Sequence, residues 1–347
     1  MLFFAGGILF SINTYGQDIC SQNLESAQRQ FDEGRFYNVE SLISECLRDG
    51  FTKQERINAL ELLALTKLYL DEMDKADSVY LDLLRQDPEH KVNELVDPPD
   101  LIFLHNNFRT TPVFYWSIIG GINFTNALVI HEYSAFDNTL TNEQYKARLG
   151  FEGGLSIEFN VYKDLYIGGG LVYNRKNFFF SDEAVFESKE RSDGYKISYI
   201  ESNNFISLPI IAKYTVSKDK IRPYFYGGIS LNLLLFSNQN DLGKISPIGE
   251  DLIEISSRNI SSYRKPVNLS GVLGIGAMIK SSGLSLLALD LKIEPGLTII
   301  NRESRRYADQ GIVIQNGIVN DAMRINSISL SVRFVRPFYN PKLKKIN

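Results

Sequence analysis

Asp290 and Glu294 have the types and the spacing that come closest to acid–base chemistry in this sequence. Two carboxylates on one face of a β-strand can act as general acid and general base when one is protonated and the other is ionised. Lys292 lies between them on the same face, and its positive charge compensates both. The spacing therefore favours an ion-pair and hydrogen-bond network in a protein interior over a catalytic pair.

Other catalytic patterns are missing from the sequence. It contains no Gly-x-Ser-x-Gly nucleophile elbow and no His-Glu-x-x-His helix. The three histidines, His90, His105 and His131, are scattered along the chain. We therefore expect a protein that is not an enzyme and that uses no metal or cofactor.

Cys20 and Cys46 are the two cysteines of the chain. The first opens one helical stretch and the second lies near the end of the next, so an antiparallel helix pair would bring them together. A disulfide between them is expected in an oxidising compartment. Metal binding is the poorer alternative, because no histidine lies near either cysteine.

Composition and the first residues indicate an exported protein with two domains. The chain has 347 residues, a formal net charge of −4 and scattered basic residues, which excludes the basic patch of a nucleic-acid-binding protein. Met1 to Phe10 is apolar and small residues follow near Gly16, a pattern that predicts a signal peptide over residues 1–16. No later stretch contains the roughly 20 consecutive apolar residues that a spanning helix requires. If the mature chain enters a membrane, it must do so as a closed β-barrel.

Between Asp18 and Arg85 the apolar residues recur every three or four positions, which is the period of an amphipathic helix. The large and small packing residues over Ile57 to His90 resemble a tetratricopeptide repeat, and a weaker copy begins near Cys20. We expect a helical domain over residues 18–92 that either forms a protein-binding groove or only packs on itself and braces the rest of the protein. The residues that carry the resemblance are Leu60, Leu63, Ala64, Ala76, Tyr80, Leu83 and Pro88, with Ala27, Gly34, Val39 and Ile43 in the weaker copy. The candidate partner-binding residues are Leu60, Leu63, Lys67, Tyr69 and Tyr80.

Pro98 and Pro99 interrupt the helical pattern, since two consecutive prolines exclude a continuing helix. They predict a hinge or strap within a linker over residues 93–110. A short apolar helix over Leu101 to Phe108 is expected to lead into the next domain.

Beyond Thr111 the period of the sequence changes to two, which is typical of β-strands with one apolar and one polar face. The connections between the segments alternate long and short, as the external loops and periplasmic turns of outer-membrane barrels do. An even number of strands returns both chain ends to the periplasm. A soluble β-sandwich is the alternative, but it gives no reason for such alternation. The predicted strands cover residues 113–126, 146–162, 165–180, 195–216, 221–238, 267–281, 284–297 and 323–338.

The polar faces of these strands carry charges that nearly balance, and a barrel of eight strands is only wide enough for its own side chains. We expect them to form an interior network rather than a pore or catalytic centre. The predicted members are Arg148, Glu152, Glu158, Lys213, Arg222, Lys280, Asp290, Lys292, Glu294 and Arg333. The aromatic residues predicted for the girdle at the short-turn end are Tyr162, Tyr166, Tyr214, Tyr224 and Phe338.

The stretch Phe205 to Tyr214 contains a Leu-Pro pair, and Arg222-Pro-Tyr-Phe-Tyr-Gly-Gly follows in the next strand. Together they resemble the PorT-like outer-membrane β-barrel family of Bacteroidetes over about residues 111–338. The resemblance implies residence in the outer membrane and, for some members, a part in type IX secretion and gliding. The helical domain is a departure from the simplest members of that family.

The expected fold is thus a tetratricopeptide-like helical domain followed by an eight-stranded antiparallel outer-membrane β-barrel over residues 111–339, with a tail over residues 340–347. The helical domain and the C-terminus are expected in the periplasm. The expected function is a non-enzymatic barrel with a helical adaptor, an accessory subunit of an outer-membrane secretion or assembly complex. The expected partners are the lipid bilayer and envelope proteins, without nucleic acid or a small-molecule cofactor. The alternative is a transport or surface ligand-binding barrel that acts through its long loops, over Asn138 to Gln144 and Gln239 to Arg258.

Overall fold

The protein divides into two compact units in a computed structural model, and each is described here by itself. Unit 1 comprises residues 1–112 together with 339–347, and unit 2 comprises residues 113–338. The structure describes residues 14–133, 143–188, 191–216, 220–246, 249–255, 257–281, 283–308 and 319–344.

The described part of unit 1 contains five helices, and the first four pack as two successive pairs. Helix α1 packs on α2, and α3 packs on α4 and also touches α1 and α2. A capping box starts α3, because the Thr52 hydroxyl accepts from the Glu55 backbone N–H while the Glu55 carboxylate accepts from the Thr52 backbone. The helices are α1 (Thr14–Asp32), α2 (Phe36–Arg48), α3 (Lys53–Tyr69), α4 (Met73–Gln86) and α5 (Pro99–Asn106).

The second helix pair repeats the first after 37 residues, so that Ala27 corresponds to Ala64 and Gly34 to Asp71. Gly34 and Asp71 both have a positive φ, 79° and 59°. Both turns use the same two backbone hydrogen bonds. Gly34 and Asp71 each donate to the carbonyl three residues earlier, and the residue after each donates to the carbonyl five residues before itself. This is the left-handed helix end in which glycine is most favoured.

The core of unit 1 also includes residues beyond the four paired helices. Leu101 and Leu104 of α5 and the adjacent Phe108 are buried in one apolar cluster with α3 and α4. The segment predicted as a linker is therefore part of the packed unit. Strand β1 (Phe108–Arg109) pairs antiparallel with β12 (Lys342–Leu343), so the predicted C-terminal tail also belongs to unit 1.

Unit 2 is an eight-stranded antiparallel β-barrel. Each strand pairs with the next one of the ring, and pairing between the first and last, β2 and β11, closes it. The barrel strands are β2 (Phe114–His131), β3 (Gln144–Tyr162), β4 (Leu165–Ser188), β5 (Arg191–Thr215), β6 (Ile221–Ser246), β9 (Val267–Lys280), β10 (Leu286–Glu294) and β11 (Ala322–Phe338). Two short strands, β7 (Gly249–Ile255) and β8 (Arg258–Asn259), pair with the end of β6.

We call the end of the barrel with the turns after Tyr162, Thr215 and Lys280 the turn end, and the opposite end the far end. Both chain crossings into unit 1 lie at the turn end, where the Val113 backbone donates to the Phe338 carbonyl. The even strand number expected from the sequence produces this arrangement.

Burial alternates along the strands, as the period of two predicts. In β11 every second residue from Ile325 to Val335 is buried, while Ile328, Leu330, Val332 and Phe334 between them are exposed. Equivalent exposed apolar residues on the other strands form a belt around the barrel. In a soluble protein so large an apolar surface would be a liability, whereas a bilayer requires it.

Two expectations for the barrel are corrected. Residues 181–194 are not a long connection, because β4 and β5 stay paired as far as Ser188 and Arg191. Their charged sequence suggested a loop, but a hairpin of polar residues can extend into water. Tyr166 and Tyr224 do not join the girdle, because the pleat turns both side chains inward, whereas Tyr162 is exposed as predicted.

Candidate functional site

Arg333 lies at the centre of the polar barrel interior. Its guanidinium donates to Asp290 through Nε at 2.7 Å and through Nη2 at 3.2 Å, and to Glu158 through Nη1 at 2.7 Å. The Tyr224 hydroxyl donates to Asp290 at 2.7 Å and accepts from Arg333 at 2.9 Å. Lys213 forms an ion pair with the second oxygen of Glu158. Each buried charge of this cluster has an opposite charge beside it, as burial requires.

A second cluster lies beside it in the same interior. Lys292 donates to Glu152 at 2.8 Å and lies 3.8 Å from Glu294. The other oxygen of Glu294 is 2.9 Å from the Lys176 ammonium. Lys292 lies beside Glu294, as the sequence predicted, but its other partner is Glu152, because Arg333 takes Asp290 instead. Lys176 was not predicted. It follows Asn174 and Val172 at alternate positions of β4, and that alternation is the signal that could have found it.

A third ion pair, nearer the far end, was also missed. Arg264 donates through Nε to Glu201 at 2.7 Å and through Nη2 to the other Glu201 oxygen, and its Nη1 donates to Asn320 at 3.2 Å. Both charged side chains are fully buried. Arg264 lies in the connection before β9, where no periodic pattern marks an inward residue. Within the described part of the chain, these clusters pair five carboxylates, of Glu152, Glu158, Glu201, Asp290 and Glu294, with five cations, of Lys176, Lys213, Arg264, Lys292 and Arg333.

Three of the predicted members lie outside these clusters. Arg148 is exposed, and its guanidinium lies over the Phe179 ring at 5.4 Å on the outer face. A register shift in β3 between Ala147 and Phe151 reverses the face on which Arg148 was expected. Arg222 and Lys280 lie at the turn end, where Arg222 is half-buried and Lys280 is exposed, because the strands end there.

The space left in the interior of the described part of the barrel consists of small cavities. One of about 30 Å³ lies at the turn end beside Tyr115, Tyr166 and Lys213. A cavity of about 70 Å³ lies between the charged clusters and is also lined by Ile119, Val172 and Val272. A cavity of this size has room for a few water molecules. It is too small for a substrate or for a stream of ions.

The far end of the interior is filled by side chains and by two connections. Phe178, Phe205 and Met323 are buried there in one cluster with Ile300 from the connection after β10. The Lys265 backbone donates to the Ile300 carbonyl at 2.6 Å, which joins that connection to the one before β9. These side chains and connections therefore occupy the far end of the interior in the part of the chain that the structure describes.

The candidate partner-binding residues of unit 1 are mostly not accessible. Leu60, Leu63 and Tyr80 are buried in the apolar core. Lys67 is buried as well and forms ion pairs with Glu40 and Glu72 at 2.6 and 2.9 Å. Those four assignments are corrected, because the repeat positions that identified them are packing positions. Tyr69 is half exposed.

Tyr69 belongs to an aromatic surface of unit 1, beside the turns that join α1 to α2 and α3 to α4. Its ring stacks on Phe36 with the centroids 5.1 Å apart, and Phe31 packs edge-on against both. Tyr37 is 86% exposed and Met73 is 48% exposed. We call Phe36, Tyr37, Tyr69 and Met73 the turn patch. The exposed acidic residues beside it in the two turns are Glu33, Asp71 and Asp74.

The two cysteines are joined in the structure, with the Cys20 and Cys46 Cα atoms 5.6 Å apart. The bond links the first half of α1 to the end of α2. Among the described residues, no group of three or more His, Cys, Asp or Glu side chains is arranged to hold a metal ion.

Two histidines flank the buried Tyr80. The Tyr80 hydroxyl is 2.8 Å from Nδ1 of His105, and the rings of His90 and His105 lie 6.5 Å apart. Burial lowers the pKa of His105, and the nearby His90 and Lys344 lower it further. Burial also raises the pKa of Tyr80 well above its ordinary value. A neutral His105 therefore forms one hydrogen bond with the neutral phenol of Tyr80, as donor or as acceptor according to its tautomer.

The loops proposed for ligand contact are described only in part. Residues 138–142 lie outside the described part of the chain. Gln239 is buried within β6 and pairs in register with Arg258 of β8, so the start of the second loop is sheet.

Comparison with known proteins identifies a related family and several similar folds. The sequence profile of the family described as outer membrane protein beta-barrel domain matches residues 112–301. No curated protein matches the chain. None of the helices in the described part of the chain is both long and apolar enough to cross a membrane.

Solved structures with a similar fold include three bacterial outer-membrane proteins. Neisserial surface protein A is 13% identical with a TM-score of 0.31, over 63% of this chain and 95% of that one. OprG from Pseudomonas aeruginosa is 11% identical with a TM-score of 0.31, over 66% and 98% of the two chains. The outer membrane protease OmpT from Escherichia coli is 6% identical with a TM-score of 0.34, over 66% and 98%.

Proposed function

The chain belongs to the outer-membrane β-barrel domain family, and from that premise we propose that it is a non-enzymatic anchor for a helical protein-binding adaptor. Its barrel lies in the bilayer of the outer membrane. We propose that unit 1 lies in the periplasm and serves as an accessory subunit of an outer-membrane secretion or assembly complex, of the kind used in type IX secretion or gliding.

The filled interior is the observation that carries this proposal. The paired charges fill the interior of the described part of the barrel, and the cavities between them are small. The carboxylates Asp290 and Glu294 each have a cationic partner, which disfavours acid–base chemistry. A barrel with a filled interior can serve as a membrane anchor. We therefore propose that the surface that binds a partner lies outside the interior.

The turn patch is the surface of unit 1 that best fits a protein partner. Exposed aromatic residues are enriched where proteins bind each other. The two turns beside the patch carry more acidic than basic exposed side chains, with Arg35 and Lys75 the cations. We propose that the patch binds an apolar segment with basic flanks. The repeated helix pairs support a tetratricopeptide-like origin for this unit, and the motifs quoted above support a PorT-like barrel.

Affinity purification of the tagged full-length protein from outer membranes of its native host tests the proposal. Mass spectrometry would compare wild type with Tyr37→Ser/Tyr69→Ser. The matched control is Ile19→Ser, an exposed apolar residue of α1 that lies about 20 Å from the turn at 1.5 Å per residue.

We expect large envelope proteins to copurify with wild type and with the control and to be lost from the double variant. A clean monomer in all three samples would refute the adaptor function. Transport would require stable conductance in planar bilayers, which the filled interior disfavours. A ligand captured by the monomer would instead favour a surface-binding barrel that acts through the far-end connections.

A further inference from the structure

Three cations face outward on the barrel near its far end. Lys146 of β3 pairs in register with Phe179 of β4, and the Arg148 guanidinium lies over that ring at 5.4 Å. Arg175 alternates along β4 with the buried Asn174 and Lys176, so it points to the outer face. All three side chains thus belong to the surface that continues the apolar belt.

These cations lack counter-ions within the described part of the protein. No carboxylate there lies within ion-pair distance of Lys146, Arg148 or Arg175. Arg175 is instead held by neutral groups, with Nε donating to Asn177 Oδ1 and Nη2 to Ser202 Oγ, both at 3.4 Å. These contacts leave part of the guanidinium fork unused.

Arg175 lies where the edge of the bilayer is expected, and Lys146, which pairs with Phe179, lies about four residues further toward the far end. Arg175 follows Leu165, the first residue of β4 at the turn end, by ten positions. At 3.3 Å per residue and a strand tilt of about 40°, ten residues rise roughly 25 Å, which is the height of the apolar band of an outer-membrane barrel. Ile167 and Leu171 below Arg175 are exposed and apolar. The next outward-facing carboxylate on β4, Glu183, is about 26 Å further along the strand.

We propose that Lys146, Arg148 and Arg175 bind the anionic, phosphate-bearing headgroup of a lipid in the leaflet at the far end. Guanidinium forks match phosphate oxygens in two-pronged geometry, and an ammonium adds a further charge. A lipid supplies its acyl chains to the belt directly below, through Phe151 and Tyr173, which pack 5.8 Å apart. A free phosphate would lack that second contact.

Native mass spectrometry of the full-length protein tests this proposal. Protein purified in a zwitterionic detergent is offered an equal mixture of phosphatidylglycerol and phosphatidylcholine, and the bound lipids are counted. The test variant is Arg148→Gln/Arg175→Gln. The matched control is Arg336→Gln, which removes an exposed, outward-facing arginine at the turn end. Heat-modifiable migration in gels checks that each barrel has folded.

We expect wild type and control to prefer phosphatidylglycerol and the double variant to lose that preference by about thirtyfold, on the basis of two surface charges. Arg148→Lys/Arg175→Lys should retain most of it, because the charges remain. An equal count of both lipids on wild type would overturn the proposal without any variant. So would a preference that the double variant keeps, or one that millimolar inorganic phosphate abolishes as effectively as excess lipid.

Discussion

Replacing Arg333 by methionine should destabilise the barrel more than any other single substitution of its charged interior. The change removes four hydrogen bonds, two to Asp290, one to Glu158 and one to Tyr224. Glu158 keeps Lys213 as its partner, but Asp290 keeps only the Tyr224 hydroxyl. Orphaning a buried charge costs about 3 to 5 kcal/mol, so we expect the free energy of unfolding to fall by that amount.

A second substitution separates the loss of a partner from the loss of packing. In Asp290→Asn/Arg333→Met the orphaned charge is gone, while the pair of Glu158 and Lys213 is untouched. This double variant should recover most of the lost stability. Its free energy of unfolding should lie within about 1.5 kcal/mol of the wild-type value, since a neutral replacement for a buried pair is often tolerated. Arg336→Met, on the exposed outer face, should change stability by less than about 1 kcal/mol.

Guanidinium chloride unfolding in detergent micelles provides the assay. Trp116 is the only tryptophan, and its ring lies 6.4 Å from the exposed Phe334 on the outer face of the barrel, so its emission reports unit 2. The reasoning is refuted if Arg333→Met unfolds within about 1 kcal/mol of wild type, or if the double variant is no more stable than the single one.

Three further outcomes are expected. Reduction of the Cys20–Cys46 bond, which closes a loop of 26 residues, should lower the free energy of unfolding of unit 1 by about 3.5 kcal/mol, measured by circular dichroism at 222 nm in urea, while Cys20→Ala/Cys46→Ala should not respond to the reductant. Gly274→Val should cost about 1 to 3 kcal/mol by the Trp116 assay, because a Cβ there would lie 2.2 Å from the Tyr226 ring, whereas Gly120→Ala, with open space around it, serves as the control. Because the pKa of His105 is lower in the folded unit than in the unfolded chain, the unfolded state binds the extra proton, so unit 1 should lose stability as pH falls below about 6.5. His105→Gln should remove that slope in urea titrations from pH 7.5 to 5.5, and an unchanged slope would contradict it.

The barrel could be derived from the sequence largely because a strand has a period of two. Once residues such as Glu158 and Arg333 were placed on the polar face, their burial followed from the alternation. Arg148 shows where the method fails, because a shift of register changes the face without changing the pattern of residues. Arg264 lies in a connection, where burial depends on contacts far along the chain.

The helical unit shows a different limit. Leu60, Leu63 and Tyr80 match the repeat at its packing positions. Residues at packing positions lie in the core of a helical unit and not on its surface. The exposed Tyr37 and Met73 follow from how the two turns are placed side by side, which no local pattern states. The hydrogen-bond partner of Tyr80, His105, comes from α5, beyond the consecutive prolines.

The pairing of β1 with β12 joins two segments that lie on either side of the barrel in the chain. Phe108 is made before the barrel and Leu343 after it, yet the two lie opposite each other in one ladder, and Lys344 donates to the Asn107 carbonyl at 2.7 Å. More than two hundred residues separate β1 from β12 in the chain, so β1 is synthesised well before β12. A chain truncated within its last barrel strand therefore leaves the helical unit without its closing strand.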